Sequence, residues 1–391
     1  MQTSSSKLAA ASGTTIIAVV TASHFINDNF TSLLTPLQPA LTEKFNVTLG
    51  DTGTLVAILS VVGSVSQPLF GALGDRVDRK WLAAAGPILA AVGMTLMGFA
   101  PSFFLVAMLI VLGGIGSAVF HPSGAAYVAQ NSQLEKRGLY ASIFSAGGTA
   151  GLALGPLTAT ALGLQGIVYL MPLGFVMGII SFIVTPSSRV SSKPVAWRDY
   201  VELFKGPIRS LWAMGVLRSL STVTYASLLP FVLKDKETDW VIAGSLFMLS
   251  IASAIGGIIG GQISDKIGRT TVLRSSVLLL IPLFVLLVFV SPSSIGLVPF
   301  YLLCFATGGL ANATIPVAVV AAQEFAPGKT ATTSALMMGF SWGTAGVLYK
   351  LVAELAEATT PQIAMLATIA LLIPAWIITL KLPEPPRAEL G

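Results

Sequence analysis

Gly71-Ala72-Leu73-Gly74-Asp75-Arg76-Val77-Asp78-Arg79-Lys80 and Gly261-Gln262-Ile263-Ser264-Asp265-Lys266-Ile267-Gly268-Arg269-Thr270 are two copies of one pattern. Each sets a small residue, an aspartate and a basic cluster between long apolar runs. Asp75 and Asp265 stand 190 positions apart (265 − 75) in a chain of 391. A repeat at close to half the chain length is most simply the mark of a duplicated membrane unit.

Composition agrees with a membrane environment. The chain is 54% hydrophobic and 10% charged, with a mean hydropathy of +0.83. Soluble domains carry about 25% charged residues, so the solvent for much of this surface is lipid. The net charge of +5 is spread over many short loops and forms no stripe, which excludes nucleic acid as a partner. Cys304 is the single cysteine, so an internal disulfide and a thiolate metal cluster are both excluded. With two histidines and no carboxylate cluster in sequence around them, no metal site is expected. The apolar run after the Ser/Ala-rich start is too long for a cleavable signal, and reads as a first membrane helix.

A spanning helix needs about 20 mostly apolar residues. Twelve such stretches are expected, centred near Asn27, Leu59, Ala90, Gly116, Gly151, Phe175, Ser221, Ser250, Leu283, Ala311, Trp342 and Ile369. The polar stretch between the sixth and seventh divides the chain into residues 1–185, a linker at 186–206, and residues 207–391. The linker carries an amphipathic piece, Trp197 to Phe204, suited to a membrane surface. Placing the N-terminus in the cytoplasm puts 17 of the 22 Lys and Arg residues on cytoplasmic segments. That asymmetry predicts both termini inside.

Two sets of six helices, a repeated loop after the second helix of each set and a basic linker resemble the major facilitator superfamily. The resemblance covers the whole chain. It implies an all-α membrane protein of twelve transmembrane helices in two pseudo-symmetric six-helix bundles, working as a monomer without cofactor on a proton gradient. Gly147-Gly148-Thr149-Ala150-Gly151-Leu152-Ala153-Leu154-Gly155-Pro156 resembles the motif associated with antiporters of that superfamily. Ser23-His24-Phe25-Ile26-Asn27-Asp28, Ser117-Ala118-Val119-Phe120-His121-Pro122 and Gln323-Glu324-Phe325-Ala326-Pro327-Gly328-Lys329 resemble the fosmidomycin resistance protein family. That narrower match implies a proton-coupled drug exporter in a bacterial inner membrane. Two departures stand out. Ser123 follows His121-Pro122 where that family often has an acid. Ile110 occupies the place before Gly114-Ile115-Gly116 where wider drug exporters often carry arginine.

Several polar residues fall inside apolar spans. His24, Asn27 and Asp28 are spaced i, i+3, i+4 and so share one helix face. Asp28 lies about 20 Å into the first span at 1.5 Å per residue. A carboxylate there must meet a partner, a wet cavity or a proton, so Asp28 and His24 are candidates for proton coupling and Asn27 for substrate contact. Hydrogen bonding between helices is the plainer alternative. His121, the other histidine, is a second proton-coupling candidate, since an ordinary imidazole titrates near 6.5; a neutral ring satisfied by backbone is the alternative. Arg218 lies mid-span and needs an anion, either Asp28 or an anionic substrate. Tyr225 and Trp342 are further substrate candidates.

Asp75, Arg76, Arg79, Lys80, Asp265, Lys266 and Arg269 read as gating residues, with the aspartates capping helices and pairing with bases. Gly147, Gly151 and Gly155 form a small-residue ridge for close helix packing, ended by Pro156. Glu354 and Glu357 read as exposed surface, and Gln323 and Glu324 as solvated surface with a gate as the alternative. No nucleophile–base pair, metal cluster or phosphate loop points to an enzyme. The expected function is a proton-coupled antiporter for a small drug-like or anionic molecule. An importer of an organic acid or sugar, or a passive facilitator, would share these charges.

Overall fold

The computed structural model describes residues 11–74, 77–133, 136–188, 201, 203–327 and 329–386. Among these the chain is helical, with no strand. The N-terminal helices are α1 (Gly13–Ser32), α2 (Leu34–Phe45), α3 (Leu49–Ser60), α4 (Gln67–Gly74), α5 (Arg79–Thr95), α6 (Phe103–Asn131), α7 (Arg137–Gly166) and α8 (Met171–Val184). The C-terminal helices are α9 (Gly206–Leu233), α10 (Asp239–Ile267), α11 (Arg269–Phe289), α12 (Leu297–Phe325), α13 (Thr330–Ala335), α14 (Ser341–Ala358), α15 (Pro361–Ala370) and α16 (Leu372–Leu380).

Helix starts follow the local chemistry. Ser12, Ser102, Thr238 and Thr360 each accept a backbone N–H from the first turn of the helix they precede. Thr48 and Asp51 form a reciprocal capping box at α3. Gly268 (φ 100°) separates α10 from α11, a backbone conformation open to glycine and strained for other residues.

Eight stretches among the described residues are long and apolar enough to cross a membrane. One of them, Leu139–Val184, reverses at Gly163 (φ 67°, ψ 176°) and so covers the centres expected near Gly151 and Phe175. Each of the twelve expected centres lies on helix. Three lie outside the eight stretches, for visible reasons. α1 is diluted by its polar face. The apolar helix near Leu59, Leu49–Val65, is shorter, and π-helical turns occur at Val61–Val65 and at Leu336–Phe340 beside Trp342. Of the linker's amphipathic piece, residues 197–200 and 202 lie outside the described residues.

α1 packs against α5, α6, α7 and α8, while α12 packs against α9, α10 and α11. The two sets meet along α3 against α14 and α7 against α10. The interrupted helices face each other there: a Cβ on Gly346 would stand 1.8 Å from Ser60 Oγ, and one on Gly343 2.5 Å from Val65 Cγ2. At the end of the molecule bearing Asn46, Lys234 Nζ lies 3.1 Å from Glu43, and Gly50 N donates to Glu357 Oε2 at 3.0 Å. Both contacts tie N-terminal to C-terminal helices. Glu357 is exposed, as expected, and also serves as an interhelix acceptor. Glu354 pairs with Lys350 at 2.7 Å.

Large apolar side chains remain on the outside. Leu69 and Phe104 are each 74% exposed, and a row on α8 that includes Phe175, Ile179 and Ile183 is exposed too. Lipid, not water, can solvate such faces. Cohesion between helices then rests on van der Waals fit at small residues. At Gly93 a Cβ would stand 2.3 Å from Gly113 N, so α5 and α6 touch through backbone.

This packing yields a stability test. Gly93→Val is expected to cost about 1–3 kcal/mol through overpacking, read as a fall of several degrees in Tm of the detergent-purified protein. Gly261→Ala, whose Cβ would meet nothing within 4 Å, is expected to leave Tm unchanged or slightly raised. Equal effects of the two would sink the backbone-contact account.

Candidate functional site

α1 buries an unusual polar face: Ser23, His24, Asn27, Asp28 and Asn29 are all at most 7% exposed. Each finds a partner on a neighbouring helix or on the same face. Ser23 Oγ lies 2.7 Å from Ser181 Oγ of α8, and Asn29 Nδ2 donates to Gly151 O of α7 at 3.3 Å. Asn27 Nδ2 donates to Asp28 Oδ1 at 3.1 Å. The i, i+3, i+4 stripe legible in the sequence is thus wrapped on several sides by helices.

Asp28 sits between the chain's two histidines. His24 Nε2 lies 3.2 Å from Asp28 Oδ2, and His121 Nε2, reaching across from α6, lies 3.2 Å from Oδ1. The other nitrogen of each ring is anchored to backbone. His24 Nδ1 donates to Phe144 O at 2.8 Å, and His121 Nδ1 donates to Ser117 O at 2.8 Å. The His24 ring stacks on Phe144 at 4.2 Å between centroids and meets the His121 ring edge-on at 4.9 Å. His121 is the more open member, its side chain 24% exposed against 9% for Asp28.

Spacing along the chain did not bring these three residues together. In sequence no carboxylate clusters around the histidines. In space Asp28 touches both, and one ligand atom from each of the three residues lies within 4.8 Å of the others. The sequence also missed what makes the room. A Cβ on Gly148 would stand 2.3 Å from His24 Nε2 and 2.8 Å from Asp28 Oδ2. The paired glycines Gly147-Gly148 were the available signal. Gly147 lies against Thr21, Gly151 against Phe25 O and Gly155 against Ser32, so α7 runs along α1 at backbone distance. Pro156 sits inside α7. The chain reverses seven residues later, at Gly163.

Arg218 is 3% exposed on α9, and its Nε has no hydrogen-bond partner among the described residues. Asp28, one of its two expected partners, is not its counter-ion: both carboxylate oxygens are taken by histidines, and no described carboxylate forms an ion pair with Arg218. Its position carries a further regularity. Asp28 and Arg218 are separated by 190 residues (218 − 28), the same offset as Asp75 and Asp265. The two buried charges therefore share one register of the duplicated unit, with opposite sign.

The remaining candidates are scattered. Tyr225 is buried, its hydroxyl 3.9 Å from Cys304 Sγ and its ring against Phe284 at 5.7 Å; this packing accounts for it without a ligand. Trp342 is 37% exposed near the π-helical turn of the α13–α14 segment. Asp75 and Arg76 lie outside the described residues. In the first repeat the residue that caps a helix is Asp78, which accepts Lys80 N and Ser188 N at 3.0 Å each and also bonds Ser187 Oγ. Arg79 N donates to Ser188 O at 3.1 Å, and Lys80 Nζ lies 4.3 Å over the Phe182 ring.

In the second repeat Arg269 pairs with Asp265, donates to Ser264 Oγ at 2.7 Å and reaches Glu324 Oε1 at 3.1 Å. Glu324 is therefore an ion-pair partner, not a solvated residue as expected. Glu384 Oε1 accepts Arg269 N at 2.5 Å and Glu384 Oε2 accepts Thr270 N at 3.0 Å, capping α11 from a distant part of the chain. Lys266 is exposed. All these contacts stay within one set of helices.

Comparison with known proteins places this architecture. Residues 20–349 match the family model of the Major Facilitator Superfamily. The fosmidomycin resistance protein of Escherichia coli (strain K12) is 28% identical over 369 residues, covering 89% of this chain and 88% of that protein. The uncharacterized MFS-type transporter YfnC of Bacillus subtilis (strain 168) is 28% identical over 351 residues, covering 85% and 84%. The multidrug resistance protein MdtG of Enterobacter lignolyticus (strain SCF1) is 26% identical over 299 residues, covering 69% and 70%. Among solved structures, a bacterial homolog of the human lysosomal transporter Spinster, inward-facing and occupied, superposes with a TM-score of 0.80 at 15% identity over 94% of this chain and 96% of that one. The fold, the membrane-crossing helices and the family match agree on a multi-pass bacterial membrane protein that is a transporter, not an enzyme, and the chain belongs to the Major Facilitator Superfamily.

Proposed function

We propose that the chain is a proton-coupled antiporter that exports a small anionic or drug-like molecule by alternating access. The observation that carries this reading is the buried His24–Asp28–His121 triad at membrane depth. A lone carboxylate inside a bundle is costly, and one flanked by titratable rings is built to take and release protons. Arg218 supports the anionic class of cargo, because a buried guanidinium with no counter-ion among the described residues suits a phosphonate or carboxylate group. The fosmidomycin resistance relative supports the same class.

Transport then works by exchange. Both termini lie in the cytoplasm, as the Lys and Arg distribution favours. The Lys234–Glu43 and Gly50–Glu357 contacts hold the outer end shut. The Asp265–Arg269–Glu324 cluster lies at the inner end and re-pairs when that end closes. Protons entering from outside load the triad, and their release inward accompanies movement of the anion outward. Residues 1–185 and 207–391 act as the two rocking units, with α3–α14 and α7–α10 as the sliding surfaces.

The test uses liposomes holding the purified protein and a pH-sensitive dye, challenged with fosmidomycin and a panel of organic anions and cations. Wild type is expected to move protons in response to an anion, and Asp28→Asn to lose that response. Substrate-driven proton flux that survives in Asp28→Asn would overturn the reading. Gly148→Ala is expected to lose the proton response as Asp28→Asn does, and to lower Tm as well, because its methyl would collide with His24 Nε2. Arg218→Gln is expected to weaken anion binding by about 1.5–3 kcal/mol, the worth of hydrogen bonds to a charge, or about ten- to hundredfold in Kd. Organic cations in the same panel should be unaffected.

A further inference from the structure

We propose that the triad carries two exchangeable protons per transport cycle, one in each histidine–Asp28 contact. This stoichiometry rests on the proton-coupled reading above and goes beyond it by fixing the number.

The number follows from donors and acceptors. A backbone carbonyl only accepts hydrogen bonds. His24 Nδ1 at 2.8 Å from Phe144 O and His121 Nδ1 at 2.8 Å from Ser117 O must therefore each carry a hydrogen. That leaves both Nε2 atoms facing carboxylate oxygens at 3.2 Å. A bare ring nitrogen and a bare carboxylate oxygen are both lone-pair donors and repel each other. Each contact accordingly needs a proton of its own, held on nitrogen as imidazolium or on oxygen as carboxylic acid. The histidines use different oxygens, Oδ2 and Oδ1, so one proton cannot serve both. Asn27 Nδ2 adds a hydrogen bond to Oδ1 but no exchangeable proton. The triad is therefore +1 when both protons are present and −1 when both are gone.

Among the described residues no other charged group forms an ion pair with the triad. α1 supplies His24 and Asp28. α6 supplies His121 with Ser117 and Phe120, and α7 supplies the Phe144 carbonyl and Gly148. α8 adds the neutral Ser181 hydroxyl on Ser23. The ion pairs of these three residues run only among themselves within the described residues. Exposure also orders the two protons. His121 is the member open to surroundings and is followed by Pro122, so its proton exchanges with cavity water directly. His24 is walled in by Phe144 and Phe120 and exchanges through Asp28.

The test measures the limiting accumulation of fosmidomycin in liposomes against an imposed pH gradient, with the membrane voltage clamped to zero. Each coupled proton contributes a tenfold accumulation per pH unit, about 1.4 kcal/mol. Wild type is expected to reach about a hundredfold per unit, and His121→Gln about tenfold. A tenfold slope in wild type, or an unchanged slope in His121→Gln, overturns the stoichiometry alone. Fosmidomycin movement that ignores the pH gradient overturns the proton-coupled reading with it. A second measurement needs no substrate. The chain has only two histidines, so nitrogen-15 NMR of histidine-labelled protein in bilayers resolves both rings. In the proton-loaded state, reached by acidifying the sample, four ring N–H groups are expected, or three beside a protonated Asp28 carboxyl. Three ring N–H groups beside an ionised carboxylate overturn the proposal.

Discussion

A carboxylate buried among apolar helices costs several kcal/mol unless it is paired and hydrogen-bonded, and the N-terminal helices are arranged around meeting that cost at Asp28. Two histidines approach it from two helices. Two backbone carbonyls fix the far nitrogens of those rings, and Asn27 supplies one more donor. The approach works only because α7 lies against α1 at backbone distance. Gly147, Gly151 and Gly155 permit that approach, and Gly148 leaves the space the triad fills. In lipid there is no hydrophobic force to drive such helices together, so close fit and polar contacts have to supply the cohesion.

The duplicated register adds a second constraint. Asp28 and Arg218 are set apart by the same offset as the repeated loops, each buried on the first helix of its set. One copy surrounds its charge with titratable partners. The other leaves a guanidinium nitrogen without any partner among the described residues. A symmetric scaffold thus presents two chemically different centres, and this difference gives the proposed exchange of protons for an anion its polarity.

The contacts between the two helix sets are of another kind. They join side chains or backbone at one end of the molecule and small residues at the π-helical turns facing each other midway. Asp78 and Arg269 instead organise helix starts within their own sets. Such local pairing leaves the sets free to change their relation at that end, as alternating access demands.

Local rules made the helical membrane character, the repeat and the polar face of α1 legible in the amino-acid order. Apolar runs of spanning length, a motif recurring at 190 residues, and the i, i+3, i+4 spacing of His24, Asn27 and Asp28 are one-dimensional patterns with direct physical meaning. The interruptions near Leu59 and Trp342 were not legible, because a π-helical turn depends on what packs against it. Nor were the partners. That His121 reaches Asp28 from 93 residues away, that Glu324 belongs to Arg269, and that Tyr225 is spent on Cys304 depend on how helices lie side by side. The sequence by itself determined which charges must be buried, since a charge within an apolar span has nowhere else to go. Only the tertiary structure decided which of them meet, since ion pairs and hydrogen bonds act over a few ångströms and spacing along the chain does not set distances between helices.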